Sequence, residues 1–138
     1  MMGPRVVIKL GGGLITEKAS MRTFDAVSME SVSIAISELS ALGASIVLVH
    51  GAGSFGHILA KEWSIADGLV PEISSNQRDA VRQIRSDMKE LNAFVVSSLA
   101  EMGLECESYP PSEWVTGTGR DFDGNLEKFN RMADQPIP

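Results

Sequence analysis

The segment 46–57, IVLVHGAGSFGH, combines an apolar run with glycines in a pattern that suits anion binding. Its first four residues predict a buried strand, and the glycines predict a turn into a helix over about residues 55–63. At such a turn, free N–H groups and the positive end of the helix dipole face outward, and missing Cβ atoms let a phosphate approach. Three glycines and a histidine that can donate a hydrogen bond form this candidate phosphate site: Gly51, Gly53, Gly56 and His57.

A second apolar run, residues 5–10, is followed at once by three glycines: Gly11, Gly12 and Gly13. Lys9 lies near the end of this predicted strand, where a lysine costs desolvation energy unless an anion meets it. The alternative is an edge strand from which Lys9 reaches water, but the adjacent glycines favour an anion partner. Lys18, in the loop that follows, could swing toward the same anion, although its position alone is typical of a solvated loop lysine.

The composition, 43% hydrophobic and 22% charged residues, is that of an ordinary globular protein. The net charge is −6 and the sequence has no block of Lys or Arg, so neither a nucleic acid nor a membrane is expected as a partner. We expect a small ligand instead. The single cysteine, Cys106, cannot form an internal disulfide, and we interpret it as a packed side chain in a strand. No signal peptide or long apolar span is evident, so we expect a cytoplasmic protein.

The residues between the two glycine stretches predict a strand, a helix and a second strand. Asp25 suits the N-cap of a helix that runs to about Leu42 and is ended by Gly43. The strand from Ala44 to Val49 then requires a parallel right-handed crossover. The serines of the helix fall largely off its apolar stripe, which consists of Val32, Ala35, Ile36, Leu39 and Leu42.

A long helix is predicted from about Ser75 to Met102, because apolar residues recur there at intervals of three and four. It would extend ~40 Å, so it is either an overlong surface helix or a helix that packs against a partner subunit. A third strand from Leu104 to Tyr109 and a hairpin within residues 114–125 follow. After these we expect a short helix from Leu126 to Ala133 and, over residues 135–138, the approach to a further strand.

Two kinds of chemistry fit the glycine turns. The first is dinucleotide binding, since Gly51, Gly53 and Gly56 match G-x-G-x-x-G. That fingerprint also requires an acidic residue about twenty positions on, at the end of the next strand, whereas Glu72 lies in a predicted loop. Dinucleotide binding also leaves Lys9 and the first glycine turn without an explanation.

The second is phosphoryl transfer at a single site. Ligands of parallel sheets bind at the carboxyl ends of the strands, where both glycine turns would converge. Transfer requires in-line positioning and cancellation of charge, which glycine N–H groups and lysines supply. An acceptor phosphate is already ionised and needs no general base, so His57 would hold it by donating a hydrogen bond. No metal-ligand cluster is evident, and we interpret D-x-D-G at Asp121 to Gly124 as a turn.

The segments 9–18, KLGGGLITEK, and 47–57, VLVHGAGSFGH, resemble the N-terminal half of the amino acid kinase superfamily, specifically the archaeal-type isopentenyl phosphate kinases. The similarity spans essentially the whole chain, and H-G-x-G-S-F-G-H is its specific part. The resemblance implies an α/β fold with a mostly parallel sheet sandwiched by helices, formed by residues 1–138 as a single N-terminal, phosphate-acceptor lobe. It also implies ATP-dependent phosphorylation of isopentenyl phosphate to isopentenyl diphosphate, in isoprenoid biosynthesis.

The same resemblance implies a role for each matching residue. The transferring phosphoryl group and the nucleotide would be held by Lys9, Leu10, Gly11, Gly12, Gly13 and Gly53. Lys18 matches a lysine that stabilises transition-state charge. The acceptor phosphate would be bound by Gly51, by the backbone of Ala52 and by His57, with an apolar pocket for the prenyl tail between the helix after His57 and the long helix. Gly13 stands where the family usually has serine, and Ala52 where it often has glycine.

Family members are about twice as long as this chain, so we expect the C-terminal nucleotide-binding half to be absent here and the 138 residues alone to have little or no kinase activity. ATP and Mg²⁺ are the expected cofactors, since phosphoryl transfer uses both. A homodimer is expected from the resemblance and the long helix. The alternatives are a fosfomycin-type phosphonate kinase and a non-catalytic phosphate-binding or dimerisation module.

Overall fold

The computed structural model describes residues 3–116 and 123–124. Its strands and helices alternate along the first half of the chain, and a long helix follows. In chain order they are β1 (Arg5–Leu10), α1 (Gly12–Ile15), α2 (Ala26–Ala41), β2 (Ser45–His50), α3 (His57–Glu62), α4 (Ser74–Glu101), β3 (Val115–Thr116) and β4 (Asp123–Gly124). Short 3-10 turns occupy Gly53–Phe55, Ile65–Asp67, Pro71–Ile73 and Pro111–Glu113.

Strands β1 and β2 lie side by side in parallel, with α2 as the connection between them. Arg5 is opposite Ser45 at one end of the pair, and Leu10 is opposite His50 at the other. The predicted strand, helix, strand unit is therefore present. Because the last residues of β1 and β2 are paired with each other, the two glycine turns that follow them begin side by side.

Helix α2 begins as predicted, since the Asp25 carboxylate accepts a hydrogen bond from the backbone N–H of Ser28 at 3.0 Å. The predicted apolar stripe is partly wrong. Ala35 is exposed and Leu42 is 81% exposed, whereas Ser33 is fully buried beside the core. A serine is tolerated there because its hydroxyl donates to the Met29 carbonyl of its own helix at 2.8 Å, so no buried polar group is left unsatisfied.

The hydrophobic core lies between one face of the β1–β2 pair and helices α2 and α4. It consists of Leu10, Ile15, Met29, Ile36, Phe55, Leu91, Val95 and Leu99, with Ile8, Ile46 and Leu48 packed against it. On the opposite face of the strands, Val7 is 72% and Val49 is 47% exposed. Within the described residues, α2 and α4 therefore cover one of the two sheet faces that were expected to be covered.

The end of the chain differs in part from the sequence prediction. The segment from Leu104 to Tyr109 is not a strand, because among the described residues it pairs with no neighbouring strand edge. Cys106 is correspondingly exposed rather than packed. The antiparallel pairing of the predicted hairpin is present, with Thr116 of β3 opposite Asp123 of β4. The predicted turn at Asp121 to Gly124 is wrong for Asp123 and Gly124, because they form β4 and pair with β3. The predicted helix from Leu126 to Ala133 and residues 135–138 lie outside the described residues.

In the part of the chain that the structure describes, no helix is both long enough and apolar enough to cross a membrane.

Candidate functional site

The two glycine turns touch through their backbones. The Gly51 N–H donates to the Leu10 carbonyl at 3.3 Å, and a Cβ atom on Gly12 would lie 2.6 Å from the Cα atom of Gly53. Real Cβ atoms do not approach a backbone this closely, so the contact requires glycine at position 12. The structure thus brings together the two turns that the sequence predicted to converge.

A buried threonine joins the two turns and was missed by the sequence analysis. The Thr16 hydroxyl donates to the Gly12 carbonyl at 2.6 Å and accepts from the backbone N–H of Ser54 at 3.0 Å. Thr16 is 2% exposed. Gly53 has a φ of +48°, and a Cβ atom there would meet both this hydroxyl and the Gly12 carbonyl oxygen. No short sequence motif signals this bridge.

Lys9 and Leu10 are the last residues of β1 and face opposite ways. Leu10 is 3% exposed and belongs to the core, so only its backbone is available to a ligand. Lys9 lies opposite Val49 on the uncovered face of the strands, and its side chain is exposed. Gly11, the next residue, has open space around the position of a Cβ atom.

Lys18 lies against the first glycine turn. A Cβ atom on Gly13 would be 3.3 Å from the Lys18 Nζ atom and would collide with its Cε atom. The Lys18 side chain therefore lies across Gly13 and occupies space that a serine side chain at position 13 would need. Lys18 thus lies beside the first glycine turn, which the sequence analysis suggested it could reach. The absence of a side chain on Gly13 makes space for it.

His57 begins α3 and is exposed. The helix was predicted to start at Phe55, but Phe55 is 2% exposed and ends the 3-10 turn that precedes α3. Burial of this ring in the core holds the chain in a tighter turn, so the helix starts two residues later. His57 lines an open cavity of about 300 Å³ together with Ala60, Lys61, Ser64, Ala66 and Asp67.

Ala52 fills space beside Gly56. A Cβ atom on Gly56 would lie 2.7 Å from the Ala52 methyl group and 3.5 Å from the Ile84 side chain of α4. Alanine at position 52 is therefore compatible with glycine at position 56, and its backbone N–H is retained. Gly51 and Ala52 are both partly buried.

A second residue that the sequence analysis missed is His50, at the end of β2. Its Nδ1 atom is 3.0 Å from the Gly51 carbonyl oxygen and its Nε2 atom is 3.1 Å from Asn92 Oδ1. Asn92 in turn donates from Nδ2 to the Ser108 hydroxyl at 2.8 Å. This chain of contacts fastens the start of the second glycine turn to α4.

A second cavity, of about 360 Å³, lies between residues 65–69 and α4. Its lining combines apolar side chains with arginines: Ile65, Leu69, Val81, Arg78, Arg82 and Arg85. Gln77 holds one wall by accepting from the Val70 N–H and donating to the Trp63 and Gly68 carbonyls. The prenyl-tail pocket was predicted between α3 and α4, but this cavity is lined by no residue of α3.

The described residues contain no group of three or more His, Cys, Asp or Glu side chains able to hold a metal ion. Among these residues, the site is built from backbone N–H groups, two lysines and a histidine. They fit phosphate oxygens but do not form a Mg²⁺ site of their own.

Touching glycine turns at the ends of two parallel strands, with two lysines beside them, are typical of α/β domains that bind phosphate groups. The dinucleotide alternative lacks its acidic partner, since Glu72 lies in a 3-10 turn and not at a strand end. A sequence model described as the amino acid kinase family matches residues 4–137. The chain belongs to the amino acid kinase family.

Individual relatives point to one branch of the family. The chain is 33% identical over 107 residues to an isopentenyl phosphate kinase of Thermoplasma acidophilum, covering 78% of this chain and 41% of the relative. It is 36% identical over 121 residues to an isopentenyl phosphate kinase of Haloferax volcanii, covering 88% and 46%. The chain therefore spans less than half the length of these relatives.

Solved structures agree with this assignment and confirm the predicted fold. An X-ray structure of isopentenyl phosphate kinase superposes with a TM-score of 0.83 at 26% identity, covering 96% of this chain and 55% of that one. A product complex of the T. acidophilum isopentenyl phosphate kinase superposes with a TM-score of 0.75 at 29% identity, covering 98% and 53%.

Proposed function

We propose that this chain is the acceptor-phosphate lobe of a kinase that phosphorylates isopentenyl phosphate to isopentenyl diphosphate, a step of isoprenoid biosynthesis. The observation that carries the proposal is the backbone contact between Gly12 and Gly53. Because of this contact the two glycine turns lie side by side, which supports neighbouring sites for a donor and an acceptor phosphate. The names of the relatives, all isopentenyl phosphate kinases, support the choice of acceptor.

On the acceptor side, the phosphate of isopentenyl phosphate binds to the second turn. The backbone N–H of Ala52 and the side chain of His57 donate hydrogen bonds to its oxygens. Gly51, whose own N–H donates to the Leu10 carbonyl, contributes by having no side chain in the way of the phosphate. The phosphate oxygens are ionised at neutral pH, so the reaction needs no general base, and the role of His57 is to hold and orient the acceptor.

On the donor side, the first turn neutralises the group in transit. Lys9 and Lys18 supply positive charge, and backbone N–H groups supply hydrogen bonds. Bound ATP supplies the phosphoryl group, and ADP leaves when the bond from the terminal phosphorus to the bridging oxygen breaks. The backbone contacts come from Leu10, Gly11, Gly12, Gly13 and Gly53. Because the described residues form no metal cluster of their own, we infer that Mg²⁺ is carried by the nucleotide.

We further infer a cytoplasmic homodimer in which α4 contributes to the subunit contact. The length of α4, 28 residues, supports its place in a subunit contact. The use of ATP, which the cytoplasm supplies, supports the location. The net charge of −6 is unfavourable for nucleic acids and anionic membranes. Because the chain covers 41% and 46% of the two curated relatives, we propose that the 138 residues bind the acceptor but show little turnover without a nucleotide-binding half.

The test is calorimetric titration of isopentenyl phosphate, fosfomycin and NAD into the 138-residue chain and its His57→Ala variant. We expect isopentenyl phosphate to bind and the variant to lose about tenfold or more in affinity, as for loss of a hydrogen bond to a charged group. Lys61→Ala, which removes a cation from the same cavity, is the matched control and should retain binding. Tighter binding of fosfomycin would reassign the substrate to a phosphonate, and binding of NAD alone would contradict the proposal.

A further inference from the structure

Lys18 lies in a short hairpin formed by residues 16–24. The hairpin is closed by an antiparallel bridge between Thr16 and Phe24 and by a hydrogen bond from the Glu17 N–H to the Thr23 carbonyl at 2.9 Å. The position of Lys18 over the first glycine turn therefore depends on what holds this hairpin in place.

Arg22 fastens the far side of the hairpin to two other parts of the molecule. Its backbone N–H donates to the Ser54 carbonyl of the second glycine turn at 3.1 Å. Its guanidinium reaches α4, where Nε is 3.2 Å from Asp87 Oδ1 and Nη2 is 2.6 Å from Glu90 Oε2. One residue thus joins the lysine hairpin, the second turn and the long helix.

Arg22 pairs with the carboxylate of Asp87, which is buried, and burial is unusual for a charged group. The Asp87 side chain is only 4% exposed, and its Oδ1 atom also accepts a hydrogen bond from Gln83 at 2.8 Å. A buried carboxylate requires a cationic or hydrogen-bonding partner. The guanidinium supplies the charge, so Asp87 fixes the place where Arg22 must lie.

The backbone conformation of Arg22 is strained, which indicates that the contacts of this residue hold it in place. Its φ is +53°, in the left-handed region that side chains other than glycine rarely adopt. Such a conformation persists when surrounding contacts enforce it. The two ion pairs with α4 and the hydrogen bond to Ser54 are those contacts.

We propose that Arg22 is a positioning residue for phosphoryl transfer, which holds Lys18 over the first glycine turn through its ion pairs with Asp87 and Glu90. The inference rests on the proposed function, in which Lys18 contacts the phosphoryl group in transit. In isopentenyl diphosphate this group is the terminal phosphate, and isopentenyl phosphate lacks it. Arg22 therefore matters for binding the diphosphate and not for binding the monophosphate.

The experiment is a double-mutant cycle read by calorimetric titration of both compounds. The variants are Arg22→Ala, Lys18→Ala and the two together, and Asp87→Asn disrupts the same ion pair from the helix side. Arg82→Ala is the matched control, since Arg82 lies on α4 in an exposed pair with Asp79 at 3.2 Å. Should Arg22→Ala fail to fold because it strands the Asp87 charge, the double variant Arg22→Ala/Asp87→Asn replaces it.

We expect Arg22→Ala and Asp87→Asn to weaken isopentenyl diphosphate binding about tenfold while isopentenyl phosphate binding stays within about twofold. Combining Arg22→Ala with Lys18→Ala should add nothing to Lys18→Ala alone, because Arg22 acts through Lys18. Additive losses, or equal losses for both compounds, would show that Arg22 has a merely structural role. Failure of the unmodified chain to bind either compound would overturn the proposed function, and with it this inference.

Discussion

At the level of single residues, the site depends on where side chains are missing. A Cβ atom on Gly12 would meet the backbone of the opposite turn, whereas one on Gly11 would meet nothing within 4 Å. Two adjacent glycines therefore have different reasons to be glycine. Gly12 allows the turns to touch, and Gly11 leaves the first turn open toward the side from which a phosphate can approach.

This difference predicts effects of different size for two similar substitutions. Gly12→Ala should lower the free energy of unfolding by about 2 kcal/mol or more, because backbone atoms cannot move aside cheaply. It should also abolish isopentenyl phosphate binding by separating the turns. Gly11→Ala should change stability by less than about 0.5 kcal/mol. Urea denaturation of both variants measures this, and equal stability of the two would contradict the contact.

The sequence alone draws attention to residues by their types, and it missed those that act by connecting elements. Lys9, Lys18 and His57 stand out by type and by their glycine neighbours. Thr16 and Arg22 do not, because the partners that give them a role, Ser54 and Glu90, lie 38 and 68 positions away. A contact over such a distance leaves no local pattern in the sequence.

At the level of secondary structure, local signals predicted β1, β2 and the two long helices closely but missed helix α1, which lies where a loop was expected. The long helix, α4, lies within one residue of its predicted bounds at both ends, since its periodicity and the following Gly103 are local features. The expected strand from Leu104 to Tyr109 failed because a strand requires a neighbour to pair with, which no local pattern specifies. The buried face of α2 was similarly misjudged at Ser33.

The N-cap of α2 predicts a pH dependence of stability. The backbone N–H of Ser28, and then its hydroxyl, donate to the Asp25 carboxylate and lower its pKa below the ordinary value of 3.8. A carboxylate whose pKa is lower in the folded state stabilises the fold above pH ~4. That contribution is lost as the pH falls through the folded-state pKa.

Thermal unfolding between pH 2 and 7 tests this cap. Asp25→Ala should melt at a lower temperature than the unmodified chain at pH 7, and the two should converge at low pH. Asp25→Asn keeps an N-cap acceptor without a titrating charge, so it should show a weaker pH dependence. Glu30→Ala, an exposed change on the same helix, is the control. A constant difference between Asp25→Ala and the unmodified chain at all pH values would contradict the explanation.

At the level of the whole molecule, the site and the core share one helix. Leu91, Val95 and Leu99 of α4 are core residues, and the same helix holds Arg22 through Asp87 and His50 through Asn92. The phosphate site is thus fastened to the element that contributes most to the core. A ligand that bridges the turns should therefore stabilise the entire domain rather than one loop.

Ligand-dependent stability measures this coupling. Isopentenyl phosphate at 100 times its dissociation constant should raise the free energy of unfolding by about 2.7 kcal/mol, and the melting temperature by roughly 5 °C or more. The His57→Ala variant at the same ligand concentration should gain about 1.4 kcal/mol or less, because its affinity is lower by about tenfold or more. A ligand that protects only the turns against hydrogen exchange, without raising the melting temperature, would show that site and core are uncoupled.

The ion pair between Arg22 and Glu90 also has a consequence for the order of events during synthesis. A nascent chain that has emerged as far as His57 contains both strands and both glycine turns. The hairpin that bears Lys18 still lacks its anchor, because Asp87 and Glu90 are translated later. The ion pairs that anchor the Lys18 hairpin can therefore form only after Asp87 and Glu90 have left the ribosome, which is later than both glycine turns.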